Sequence, residues 1–371
     1  MPPGPYAAVR HDSLDSPTHA VNLTVLLGVT SAERDVSIAS GLRIATALRE
    51  RGHRVTAVDP ASGVVDLEAL RRGVGATPPT PEELERLRAG GFAATLLDLP
   101  AVREADVVVL GLHGGSGEDG TIQAMLDLVG VRYTGSGHLA SALAMDKDLS
   151  KHLFRAAGVR TADWVMLNAE QGPGTRDQTA IDRLGLPIVL KPSKQGSTVG
   201  LTVVKRAEDL DAAIAEAFRY DDEVMLERFV PGRELTVGIL GGEALPVGEI
   251  IPQKEIYDYE CKYTPGMAVE EFPARLEPAV AAALQEQARL AFGALKLRGC
   301  ARIDFRLTPE GVSHCLEANT LPGMTETSLI PQAAVAAGLS FGELCERIVR
   351  LAVDAPAAAV GTTTAATAVR S

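Results

Sequence analysis

The chain has no surplus of positive charge: 36 lysines and arginines stand against 48 aspartates and glutamates, for a formal net charge of −12. Nucleic acid and anionic membrane are excluded as partners, since both favour a basic footprint. No apolar run approaches the roughly 18–20 residues that cross a bilayer. Cysteine is scarce, with Cys261, Cys300, Cys315 and Cys345 spread apart and forming no Cys-x-x-Cys pair or Cys/His ligand spacing. That excludes a disulfide scaffold or a structural zinc site and points to a reducing cytoplasm. The 36 glycines and 22 prolines are about 16% of the 371 residues, short of the ~25–30% of low-complexity chains. The first 20 residues lack the basic flank and apolar stretch of a signal peptide. They and the tail from Pro356 read as disordered, with too little apolar surface to offset the entropy of ordering.

What is present is a chain long enough for two or three domains, with no internal repeats. The expected strand 22–29 runs into a small-residue loop and a helix over 34–51, and Gly52 stops that helix before a strand at 53–58. This β-loop-α-β order predicts a parallel sheet. The dipeptide Thr80-Pro81 starts a helix and Gly90-Gly91 ends it. The run DVVVLGL (106–112) is a buried strand, followed by a loop (113–120) and a helix over 121–129. A long helix is expected over 138–157, then strands at 164–167, 188–191, 201–204 and 224–227, with a helix at 209–218. Beyond Pro231-Gly232 the signals turn antiparallel: strands at 234–240, 244–250, 301–307 and 313–318, with a helix at 278–295. The expected fold is α/β and α+β: an N-terminal doubly wound α/β domain (21–136), a central lobe (137–226) and a C-terminal lobe (227–355). A disordered lead (1–20) and tail (356–371) flank them. A cleft between the two later lobes is the expected ligand site.

The hairpin ARIDFRL…VSHCLEAN carries the most chemistry. Side chains alternate faces along a strand, so Ile303, Phe305 and Leu307 share one face and Arg302 and Asp304 the other. A four-residue loop sets Asp304 opposite Glu317 and Arg302 opposite Asn319, while Leu316 and Ala318 turn the other way. Two facing acids repel unless a cation lies between them, and oxygen ligands of this kind suit Mg²⁺. A solvated polar face fits the same pattern. In the turn 191–200, Gly196 and Gly200 free the backbone so that the N–H groups of Ser197 and Thr198 can fold over phosphate oxygens, with Lys191 adding charge; a mobile hairpin turn is the alternative. The loop after the first strand lies where open α/β sheets bind ligands. Its Glu33 can hold an ammonium or simply partner the helix dipole. The loop 113–120 can equally be an elaborate helix cap. Ser328 is a candidate N-cap, which is also an anion site. Three of the six tyrosines crowd 256–266, as an aromatic lid or as a local apolar cluster.

In order, these segments resemble the D-alanine–D-alanine ligases of the ATP-grasp superfamily, from about Asn22 to Val353. The matching stretches are SAERDVS (31–37), LHGGSGEDGTIQ (112–123), YTGSG (133–137), MDK (145–147) and KPSKQGSTVG (191–200). They continue with ERFVPGRELTVGIL (227–240), IYDYECKY (256–263), RID (302–304) and LEANTLPGMTETSL (316–329). The two tails lie outside the likeness, and residues 60–104 form a longer linker than compact members carry. The chain departs from the pattern at Gly28-Val29, where a second glycine is usual.

The resemblance implies ATP between the central and C-terminal lobes, with two Mg²⁺ or Mn²⁺ ions on Asp304, Glu317 and Asn319. Lys147 and Lys191 would contact phosphates under the loop Gly196, Ser197 and Thr198. Glu227, Arg228, Phe229 and Val230 would meet the adenine, and Glu234 the ribose. Glu33 would bind the ammonium of the first D-alanine, and Ser328 and Lys262 the carboxylate of the second. Phosphorylation of the first carboxylate makes a good leaving group, which the second amine displaces; Arg302 and the Gly323 N–H would stabilise the oxyanion. The lid 257–263 would exclude water, with Tyr263 tied to Ser197 and Glu33. Tyr263 beside Lys262 favours an amine over D-lactate as the nucleophile. An inactive nucleotide-binding relative is disfavoured, because Asp304, Glu317, Asn319, Lys191 and Arg302 are all present. A homodimer in the cytoplasm, serving peptidoglycan synthesis, is also implied.

Overall fold

The computed structural model describes residues 20–28, 30–31, 33–73, 85–87, 95–171, 178–196, 198–253 and 266–354. The expected lead and tail, the helix of 80–91 and the tyrosine-rich lid lie outside the described residues.

Strand β1 (Asn22–Leu26) has four consecutive buried residues, the mark of a strand covered on both faces. Helix α1 (Arg34–Glu50) returns the chain to β2 (Arg54–Asp59), which lies parallel to β1. The stretch expected as linker adds β3 (Gly63–Val65), antiparallel to β2, and α2 (Leu67–Gly73). After α3 (Pro100–Arg103), β4 (Val107–Leu110) pairs with the other edge of β1, giving the order β3-β2-β1-β4. One face packs Ile38, Leu42 and Leu48 of α1. The opposite face packs Leu26, Val58 and Val108 against Ile122 and Leu126 of α4 (Thr121–Leu128).

The single helix expected over 138–157 is two, α5 (His138–Met145) and α6 (Lys147–Ala156). Asp146 breaks it: its backbone leaves the helical region and its Oδ1 accepts from the Leu149 N–H at 3.0 Å, a local bond that competes with helix continuation. Lys147 thereby becomes the first residue of a new helix.

The middle sheet is antiparallel, in the order β5-β8-β6-β7, with β5 (Trp164–Asn168), β6 (Ile188–Pro192), β7 (Thr202–Val204) and β8 (Glu223–Arg228). Helices α7 (Gln178–Leu184) and α8 (Leu210–Ala217) cover it through Leu184, Leu210 and Ala217. The third sheet holds β9 (Arg233–Leu240), β10 (Glu243–Ala244), β11 (Gly248–Pro252) and β12 (Ala268–Glu271). It also holds β13 (Cys300–Leu307) and β14 (Ser313–Asn319) beyond helix α9 (Pro278–Ala294). Its order is β12-β11-β9-β13-β14, with β10 beside β9. The one strand expected over 244–250 is split because Pro246 lies between the pieces and cannot donate to a ladder. Helices α10 (Leu329–Ala336) and α11 (Phe341–Val353) close the chain, and α11 packs beside α1 in the core that the first sheet shares with the C-terminal lobe.

Candidate active site

The alternation on β13 is as expected. Ile303, Phe305 and Leu307 enter the core with α9, while Arg302, Asp304 and Arg306 line a cleft between the middle and third sheets. Arg302 pairs with Asn319 and Asp304 with Glu317, also as expected, but the connection differs. The strands end at Leu307 and Ser313, and the register shifts between Asp304 and Phe305, where Leu316 is the extra residue of a bulge. The bulge corrects one face. Leu316 lines the cleft beside Glu317, while Cys315 and Ala318 on either side are buried in the core.

Asp304 accepts from Arg302 Nε (2.9 Å) and Nη2 (2.8 Å), and from Thr236 Oγ1 (2.7 Å). Lys147 Nζ stands 3.4 Å from Glu317 and donates to the Gln195 carbonyl at 2.7 Å. Asn319 Oδ1 is buried with no hydrogen-bond partner. A buried acceptor without a donor calls for an explanation, and a bound ion is one. Together with two facing carboxylates, it fits a hard dication that takes oxygen ligands. Only two acids belong to the set; among the described residues no three His, Cys, Asp or Glu side chains are placed to hold a metal ion by themselves.

Lys191, the penultimate residue of β6, donates to Glu227 Oε2 at 2.8 Å. Burial would lower its pKa, but Glu227 and Glu317 outweigh burial and raise it, so it remains a cation. Gly196 and Thr198 line the same cleft. Thr198 holds φ +66°, which strains a β-branched residue and is retained where surroundings impose it. Arg228, Phe229, Val230 and Glu234 line the cleft as well.

Glu33 comes from the other direction. A Cβ built on Gly114 would stand 3.0 Å from Glu33 Oε2, and one on Gly196 3.5 Å from it. The first loop, the loop 113–120 and the phosphate-type loop therefore meet at this carboxylate. Behind it, His113 is buried between Ser40 Oγ and the Leu321 carbonyl, 2.9 Å from each. Burial lowers the His113 pKa, Arg302 adds to this, and Glu33 and the Leu321 bond oppose it, so the ring is neutral. Glu118 accepts from the Gly114 N–H at 2.7 Å. Burial first, and Glu33 next, push its carboxyl up to about 8. Gly323 and Ser328 are adjacent, since a Cβ on Gly323 would lie 2.6 Å from Ser328 Oγ. Ser328 occupies the N-cap position of α10, yet its side chain does not cap it; the hydroxyl turns back to the Thr325 N–H (3.0 Å) and Thr325 Oγ1 (2.7 Å). Ser197, Lys262 and Tyr263 lie outside the described residues.

The sequence profile of the D-ala D-ala ligase N-terminus matches residues 22–136, and that of the C-terminus residues 153–350. The chain belongs to the D-alanine–D-alanine ligase family. Among relatives of the family, the D-alanine–D-alanine ligase of Synechococcus sp. is 42% identical over 335 residues, covering 90% of this chain and 94% of its own. That of Halalkalibacterium halodurans is 40% identical, covering 90% and 99%. Among solved structures, the Bacillus anthracis ligase complexed with ATP superposes with a TM-score of 0.71 at 27% identity, over 90% of this chain and 97% of that one. The Coxiella burnetii ligase gives 0.75 at 29% identity, over 91% and 95%.

Sequence reasoning passed over three residues that the structure brings to this cleft or its wall. Arg306 lines it, bonds Glu234 at 3.2 Å and lies 5.8 Å from the Phe229 ring centre; the alternation from Arg302 and Asp304 pointed to it. Thr236 bonds Asp304 from the neighbouring strand, where only the pairing of β9 with β13 reveals it. Leu316 reaches the cleft through the bulge, for which the sequence carries no signal.

Proposed function

We propose that this cleft binds ATP with divalent metal and that the chain joins two D-alanines into the dipeptide carried by peptidoglycan precursors. On this reading an N-terminal domain (21–136), a central lobe (137–226) and a C-terminal lobe (227–355) close on one site. The observation that carries the reading is the facing pair Asp304–Glu317 beside the partnerless Asn319 Oδ1, on the wall of a cleft that also presents Lys147 and Lys191.

Asp304, Glu317 and Asn319 would hold Mg²⁺ or Mn²⁺, two ions per site, which neutralise phosphate charge and orient the transferred group. Lys147 and Lys191 add fixed positive charge, and the backbone of Gly196, Ser197 and Thr198 covers the phosphates. Leu316, Val189 and Ile250 give the cleft an apolar lining suited to a flat base. Glu227 and the Arg228–Phe229–Val230 segment edge it, and Glu234 serves the ribose. Glu33 holds the first ammonium, leaving that carboxylate to take the γ-phosphoryl and become an acyl phosphate. Ser328 and Lys262 orient the second D-alanine, whose amine displaces phosphate. Arg302 and the Gly323 N–H meet the negative oxygen of that step, where one such donor typically supplies ~10²–10³ in rate. Tyr263, with Ser197 and Glu33, closes the site to water. The homodimer and the cytoplasmic setting belong to the same reading.

Incubating the purified protein with ATP, Mg²⁺ and D-alanine alone checks the reaction: phosphate and D-alanyl-D-alanine appear together. A requirement for D-lactate at neutral pH would overturn the dipeptide assignment, and near-normal turnover by Glu317→Ala the metal assignment. Sedimentation equilibrium checks the dimer.

A further inference from the structure

Lys151 has no part in the chemistry above, yet its side chain is fully buried. It follows Lys147 by one turn of α6, so both lysines lie on the same side of that helix. Its Nζ bonds Glu227 Oε1 and donates to Thr161 Oγ1 at 2.6 Å. Lys191 holds the other oxygen of the same carboxylate, Oε2. Glu227 and Lys191 line the cleft and Lys151 does not. One buried carboxylate is thus held from behind by Lys151 and from the cleft side by Lys191.

The count of charges matters here. With Lys191 as sole partner, Glu227 would form a neutral buried pair. Drawing Lys191 toward an anionic ligand would then leave a buried carboxylate uncompensated, which is strongly unfavourable. With Lys151 fixed behind it, Glu227 remains neutralised and Lys191 is positive charge in surplus.

We infer that Lys151 is a positioning residue for the nucleotide: it neutralises Glu227 from the rear and so frees the Lys191 ammonium for phosphate oxygens. The inference rests on the reading of the cleft as an ATP site. The Glu227 direction agrees with it: burial would push that carboxyl up, but the two ammoniums outweigh burial and hold it at about 2. For Lys151 itself burial lowers the pKa, Glu227 opposes this, and Lys191 adds to the lowering. Lys151 also meets the C-terminal lobe, since Thr161 Oγ1 donates to the Cys315 carbonyl at 2.8 Å, two residues before Glu317. That second contact is structural and separable from the first.

Calorimetric titration of the whole protein with Mg²⁺ and a non-hydrolysable ATP analogue tests this on wild type, Lys151→Met, Lys151→Gln and Thr161→Val. Trp164, the sole tryptophan, lies 5.0 Å from Lys151 Nζ and reports local packing by its emission. The two uncharged variants are expected to bind the analogue about tenfold more weakly, a coupling of the usual size for charges in contact. Their KM for ATP rises in step while that for D-alanine is unchanged. Thr161→Val loses the strand contact and one acceptor of Lys151 but leaves the Lys151–Glu227 charge pair in place, and is expected to keep wild-type affinity and melt earlier. Affinity within twofold of wild type for a cooperatively melting Lys151→Met or Lys151→Gln overturns the inference alone. A purely structural Lys151 would lower kcat with the folded fraction and leave KM for ATP unmoved. If the wild type binds no analogue, the nucleotide reading falls and this inference with it.

Discussion

Glu118 keeps its proton at neutral pH because burial and the neighbouring Glu33 push its carboxyl from 4.5 up to about 8. A carboxyl raised on folding contributes stability that is fully present below 4.5 and lost as pH rises through about 8. The sign follows from protons bound: across that window the folded state holds one that the unfolded chain has released. Glu118→Gln keeps an acceptor for the Gly114 N–H and cannot ionise. Melting temperatures of both proteins, measured from pH 5 to 8, are therefore expected to diverge, with the wild type losing ground as pH rises. Parallel curves would mean that Glu118 titrates as an ordinary carboxylate. The loop 113–120 was legible as a strand-to-helix connection, whereas the proton on Glu118 was not: it depends on Glu33, 85 residues earlier in the chain, and on the burial of the loop.

Helix α1 shows how an element can invert a propensity rule. Alanine in place of glycine inside an exposed helix gains about 1 kcal/mol. Gly41, however, lies against the strand it covers: an added Cβ would stand 2.9 Å from Leu27 Cδ2 and closer still to its Cβ. Gly111, just beyond β4, is also tight against it: a Cβ added there would stand 3.1 Å from Gly41 Cα. Overpacking of this kind costs about 1–3 kcal/mol, so Gly41→Ala is expected to lower the melting temperature. Thermal unfolding followed by circular dichroism checks the sign, and a gain would show that α1 shifts outward freely. The boundaries of α1 were readable from Gly52, yet its distance from the sheet was not. Asp146 and Pro246 divide elements that periodicity joins, because a cap and a missing N–H each act at one residue within an otherwise continuous pattern.

At the scale of the whole molecule, the N-terminal sheet does not own its core. Leu23, Val25 and Leu48 share a cluster with Leu240, Ile330, Leu344 and Val349 from the far end of the chain. Buried charge joins the same two parts: Glu346 on α11 bonds His53 Nε2 at 2.8 Å, Arg51 at 3.2 Å and Arg350 at 3.1 Å. Residues 20–136 expressed alone would expose that apolar face, and an unpaired partner of a buried ion cluster is costly. The fragment is expected to bind a hydrophobic dye and to melt without cooperativity; a sharp transition with no dye binding would show an independent domain.

The sequence by itself determined the faces of β13, the order of its loops and the glycine positions in them, because alternation and backbone freedom are properties of a few adjacent residues. It also set Asp304 opposite Glu317 and Arg302 opposite Asn319, since hairpin pairing follows from short-range geometry. Only the tertiary structure decided which distant groups share a charge or a bond. Lys151 and Glu227 are 76 residues apart, and His113 meets the Leu321 carbonyl across 208. Such contacts form when whole layers pack, and desolvation at those junctions then sets which side chains stay charged.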